Sequence, residues 1–95
     1  MYTVLIADDD VLLCRNIALA LESAGYQTLT AVTAEEALTL AANADLILLD
    51  VMLPDETGYA CCKKIRSVTK APLLFLTSCS EEQEIVQGLD AGADD

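Results

Sequence analysis

The sequence contains no histidine and no tryptophan, and none of its four cysteines falls at C-x-x-C spacing. Zinc would need a different set of ligands, and a secreted disulfide scaffold would be richer in cysteine and turns. Cys14, Cys61 and Cys62 are therefore read as small buried hydrophobes, and Cys79 as a thiol lying beside a candidate site. Basic residues are scarce, five against sixteen acidic ones, for a formal net charge of -11. Such a charge repels phosphate backbones and argues against nucleic acid or an anionic membrane as a direct partner of this chain. The opening run from Tyr2 to Ala7 lacks a basic flank and meets Asp8 to Asp10 at once, so it is neither a signal peptide nor a membrane span, and the protein is read as cytoplasmic. Aromatic residues make up 4% of the chain, so its 54% hydrophobic content must build a core mainly from Leu, Ile, Val and Ala. Internal repeats, low-complexity stretches and linkers are also missing, and 95 residues fit one domain.

What remains is an alternation of strand-like apolar runs with helical patterns, the signature of a parallel sheet with helices on both faces. Val4 to Ala7 has no polar alternation and reads as a strand buried on both sides. Asp10 is placed to cap a helix in which Leu13, Ile17, Ala20, Leu21 and Ala24 recur at helical spacing, with Gly25 as its left-handed stop. Tyr26 to Val32 is a less apolar strand, expected nearer an edge. Thr33-Ala34-Glu35-Glu36 forms a capping box that opens a helix with Ala37, Leu40 and Ala41 on one face. Leu46 to Leu49 is a third strand, and a loop from Val51 to Thr57 containing Pro54 leads through Gly58 into a third helix. There Cys61, Cys62 and Ile65 are expected inside, and Lys63, Lys64 and Arg66 outside. Leu73 to Leu76 makes a fourth strand, and Ser80-Glu81-Glu82-Gln83 is a second capping box before a helix with Ile85, Val86 and Leu89 inward and Gly92 as terminator.

Ligands of an open parallel α/β sheet gather outside the carboxyl ends of the strands. Four oxygen-bearing residues follow directly on the predicted strands: Asp8 and Asp9, Asp50, and Thr77. Carboxylates about 5 Å apart repel by roughly 3 kcal/mol per pair at an effective dielectric of 20, so the cluster calls for a counter-charge, and a divalent hard cation such as Mg2+ supplies it. Asp50, alone at the end of a central strand, suits a nucleophile toward a phosphoryl group.

The segments VLIADDD (4–10), LILLDVMLPDETG (46–58), LLFLTS (73–78) and GLDAGADD (88–95) together resemble the receiver domains of bacterial two-component response regulators. The resemblance implies a flavodoxin-like (CheY-like) doubly wound sheet of order 2-1-3-4, with the fifth strand and its helix missing. It implies Asp50 as phospho-acceptor and Thr77 as the hydroxyl that moves toward the phosphoryl group. It further implies Asp8, Asp9 and Asp50 as metal-site acids, and Met52 as donor of a main-chain carbonyl to Mg2+. The implied partners are a sensor histidine kinase and small phosphodonors. The protein is thus expected to be a self-phosphorylating switch with autophosphatase activity, and not a turnover enzyme, serving a DNA-binding output domain in a parent protein.

Against that pattern, the lysine and the aromatic residue of the family's fifth strand have no counterpart before Asp95. Residues 1–95 are therefore expected to be a C-terminally truncated receiver domain without an output domain. An uncovered sheet edge is expected to leave the chain marginally stable, or associated as a homodimer or by strand exchange. The alternative reading is a phosphorylation-incompetent interaction module. A haloacid dehalogenase-type phosphatase also uses a strand-end aspartate, but it places a second acid two residues on, where this chain has Met52.

Overall fold

The computed structural model describes residues 2–76. The expected positions of Thr77, Cys79 and the helix opened by Ser80 lie outside the described residues. Seven elements alternate along the chain: β1 (Thr3–Ala7), α1 (Val11–Ser23), β2 (Gln27–Ala31), α2 (Ala34–Ala41), β3 (Leu46–Asp50), α3 (Gly58–Arg66) and β4 (Leu73–Leu76). All strand pairs are parallel, in the order β2-β1-β3-β4. The sequence expectation for this order holds, while the bounds of β1, β2 and β3 each move by a residue at one or both ends. β3 runs one residue further than its apolar core, so that Asp50 is its last residue and pairs with Leu76.

The strand period of two sends alternate β1 side chains to opposite faces. Leu5 and Ala7 join Ile47, Leu49 and Leu73 beneath α2 and α3, which contribute Ala34, Ala37, Ala41, Cys61, Cys62 and Ile65. Val4 and Ile6 point the other way, onto Cys14, Ile17, Ala18 and Leu21 of α1. Leu5, Ile6, Ile47 and Leu49 are fully buried, and each such side chain contributes about 1.5–3 kcal/mol relative to exposure. A tilted pair of rings, Tyr59 on α3 and Phe75 on β4, with centroids 5.1 Å apart, extends this core toward β4.

The helix ends follow the local chemistry. Asp10 accepts the N–H of Leu13 at 3.1 Å, and Gly25 takes the positive φ of 98° that turns the chain toward β2. Thr33 and Thr57 cap α2 and α3 through the N–H groups of Glu36 and Ala60. The Glu36 carboxylate closes its box on the N–H of Val32 at 2.8 Å, one residue before the cap. Asp10→Ala is expected to cost about 1 kcal/mol, read as a loss of roughly 5 °C in the melting temperature of the metal-free protein.

Two expectations need correction. The inward face of α1 is Cys14, Ile17, Ala18 and Leu21, while Leu13 is 40% exposed and Ala20 and Ala24 are also exposed. α1 is apolar almost all round, so two faces fit the helical period and composition does not choose between them. Arg66, expected to face solvent, is half-buried. Its guanidinium folds back to donate to the carbonyls of Ala71 at 2.7 Å and Thr69 at 3.4 Å, closing the turn into β4. The three described cysteines are buried, as expected of small hydrophobes. Among the described residues no helix is long and apolar enough to cross a membrane.

Candidate functional site

The strand order creates the crevice. β1 and β3 are neighbours, but the chain leaves β1 through α1 on one face and enters β3 from α2 on the other, so their carboxyl ends are not roofed by a shared crossover. Ala7 pairs with Leu49, which brings the next residues, Asp8 and Asp50, to the same height. Asp9 stands beside them at the start of the turn into α1. The carboxylate oxygens of Asp8, Asp9 and Asp50 all lie within 4.8 Å of one another.

Their surroundings differ. Asp8 is the one buried charged residue among those described, at 5% exposure. Its N–H donates to the Ala31 carbonyl at 3.0 Å, and its Oδ1 accepts the N–H of Asp10 at 2.9 Å. Its carbonyl receives the Cys14 thiol at 3.2 Å. Burial first, and the Asp8 charge next, push that thiol's pKa up. Asp9 is exposed and Asp50 half-buried. Asp50 receives a long contact from the Met52 N–H, 3.3 Å to Oδ1. Desolvation raises the Asp50 pKa to about 6, the Met52 N–H opposes it, and the charge of Asp8 and a hydrogen bond to it, with Asp9 further off, add to the rise.

Burial is the main reason the Asp50 carboxyl is raised, and the neighbouring Asp8 and Asp9 charges add to it, so three acids converge here and no cation is among the causes of the shift. Hard oxygen donors, converging and short of positive charge, fit Mg2+, which takes oxygen ligands at about 2.0–2.1 Å and tolerates few departures from octahedral geometry. The three acids singled out from sequence are thus brought together. Met52 follows at the rim, 64% exposed, with its backbone N–H on the Asp50 carboxylate. Thr77 lies outside the described residues.

Two residues matter more than the sequence suggested. Gly58 reads as a loop former, yet it donates to the Val51 carbonyl at 2.8 Å. A Cβ there would collide with the Asp50 carbonyl oxygen and stand 3.0 Å from the Asp50 carbonyl carbon and from Val51 Cα. Asp55, in the loop after Asp50, accepts the N–H groups of Ala34 at 2.8 Å and Glu35 at 3.0 Å. The Ala34 N–H, with those of Glu35 and the loop, holds its carboxyl below the usual range.

Residues 4–95 match the model of the response regulator receiver domain. The transcriptional regulatory protein ResD of Bacillus subtilis is 39% identical over 94 residues, covering 97% of this chain and 39% of that protein. The chain spans about two fifths of the length of the full-length curated relatives it matches. Among solved structures, a two-component response regulator from Clostridium difficile superposes with a TM-score of 0.95 at 36% identity, covering 100% of this chain and 80% of that one. A response regulator from Burkholderia pseudomallei, solved with a phosphorylated aspartic acid, calcium ion and citrate, gives a TM-score of 0.91 at 28% identity, covering 99% and 57% of the two chains.

Proposed function

The chain belongs to the response regulator receiver domain family, and from that premise we propose that it accepts a phosphoryl group on Asp50 in a Mg2+-dependent reaction, with a sensor histidine kinase as donor. The observation that carries this reading is the convergence of Asp8, Asp9 and Asp50 at the carboxyl ends of β1 and β3. Asp8 and Asp9 would hold the ion, together with Asp50 and the main-chain carbonyl of Met52. When bound, Mg2+ neutralises the charge that builds on the transferring phosphoryl oxygens.

Asp50 supplies the nucleophile. With its pKa at about 6, it is mainly ionised above pH 7. A carboxylate oxygen attacks phosphorus in line, an O–P bond forms, and the electron pair of the breaking bond departs with the donor. That bond is P–N in a phosphohistidine and P–O in acetyl phosphate. Asp8, fixed by the Asp10 N–H, orients the pocket, and Thr77, which follows β4 in sequence, gives its hydroxyl to a phosphoryl oxygen and relays the change. The parent protein then regulates transcription through an output domain, as the name of the relative ResD suggests for that protein. Autodephosphorylation by water resets the switch.

Incubation with acetyl phosphate is expected to add one phosphoryl group by intact mass, only with Mg2+ present, and to add none to Asp50→Asn. No gain in a folded chain would refute phospho-acceptance and leave a module that docks partners without phosphate chemistry.

A further inference from the structure

The loop that follows β3 carries the Met52 carbonyl and must present it at a fixed place. Its base is closed by the Gly58 N–H to the Val51 carbonyl and by an antiparallel bridge between Met52 and Thr57. Within it, the Leu53 N–H donates to the Glu56 carbonyl at 3.2 Å, and the Leu53 side chain is buried. The tip is tied to both helices of this face. Glu56 pairs with Lys64 of α3 at 2.9 Å, but the lysine side chain is 57% exposed, and such surface pairs contribute little.

The link to α2 is of another kind. Asp55 accepts two backbone N–H groups, one on each carboxylate oxygen, from residues 21 and 20 positions earlier in the chain. These bonds are charge-assisted and their donors cannot rotate away. They also sit at the positive end of the helix dipole. α2 leaves those two donors open: Thr33 Oγ1 takes the Glu36 N–H, the Thr33 carbonyl takes the Ala37 N–H, and the Glu36 carboxylate is occupied by Val32. Asp55 therefore completes the capping of α2 from the acceptor loop.

We infer that Asp55 is a positioning residue for the metal site: by clamping the loop tip to α2 it fixes where the Met52 carbonyl stands beside Asp50, and it sets Mg2+ affinity without touching the ion. This rests on the reading of Met52 as a metal ligand proposed above.

The test is a Mg2+ titration of the full chain followed by thermal stability, for wild type, Asp55→Ala, Asp55→Asn and Thr33→Ala. Thr33→Ala weakens the same helix end but leaves the loop attached, so it measures loss of helix capping alone. Asp55→Ala is expected to raise the Mg2+ concentration for half-maximal stabilisation about tenfold, within the range for loss of an outer-shell partner. Asp55→Asn keeps one acceptor oxygen and falls between, and it carries the comparison if the alanine variant does not fold. Thr33→Ala lowers the metal-free melting temperature and keeps the wild-type midpoint. An unchanged midpoint in both Asp55 variants, or an equal shift in Thr33→Ala, overturns the inference and leaves the metal reading standing. A folded wild-type protein without any Mg2+ response overturns both.

Discussion

Gly58→Ala is expected to destabilise the protein by about 3 kcal/mol, on the order of 15 °C in melting temperature. Helix propensity alone predicts the opposite, since alanine in place of glycine inside a helix gains about 1 kcal/mol. The steric term wins because the atoms in the way are backbone. The new methyl group would meet the carbonyl oxygen and carbon of Asp50 and the Cα of Val51, which have no side-chain torsion through which to escape. To make room, α3 must withdraw from the end of β3, and the bond from the Gly58 N–H to Val51 lengthens. The displaced residue is Asp50, so the loss should extend beyond stability. Well below its lowered melting temperature, the folded variant is expected to respond more weakly to Mg2+ and to phosphorylate more slowly. Thermal melts and a Mg2+ titration check both parts, and a variant as stable as wild type would show that the helix gives way without cost.

Asp50→Asn is expected to stabilise the metal-free protein at pH 7.5 and to leave it nearly unchanged at pH 4. The folded-state pKa of Asp50 is raised from 3.8 to about 6, so the native state holds a proton that the unfolded chain releases. Stability from this group is complete below about pH 4, falls as pH rises through 6, and is flat above. The shift corresponds to about 3 kcal/mol at full value. Asp50 is only half-buried, and solvent screening reduces the expected gain to on the order of 1–2 kcal/mol. Saturating Mg2+ should narrow or reverse the difference, because an ion that binds only the folded state stabilises it by an amount that grows with the logarithm of its concentration over Kd. Equal melting temperatures at pH 7.5 without metal would mean that burial and the neighbouring acids together do not disfavour the charged Asp50 in the fold.

Much of this site was legible in the chain because its signals are local. An unbroken apolar run marks a strand buried on both faces, and an acid directly after it must emerge at the strand's end. That is why Asp8, Asp9 and Asp50 could be grouped before any geometry was known. The strand order came from resemblance, since no spacing in the sequence distinguishes 2-1-3-4 from other orders. What escaped detection depends on distant partners. Nothing beside Asp55 indicates that its carboxylate serves Ala34 and Glu35, and nothing beside Gly58 indicates that the end of β3 presses against it. The face of α1 was misjudged where apolar residues surround the helix, and Arg66 was misplaced because helical spacing does not show a side chain bending back to carbonyls beyond its own C-terminus.

The buried thiols give the molecule a way of timing its own fluctuations. Cys14 lies under the α1 face, and Cys61 and Cys62 lie under the α2–α3 face. Burial pushes the Cys61 thiol up to about 11, so in the closed state this cysteine offers almost no reactive thiolate to solvent. Alkylation must then wait for a local opening that uncovers the sulfur, and its rate counts those openings. The two faces of the sheet can thus be clocked separately, in one experiment and without an introduced cysteine.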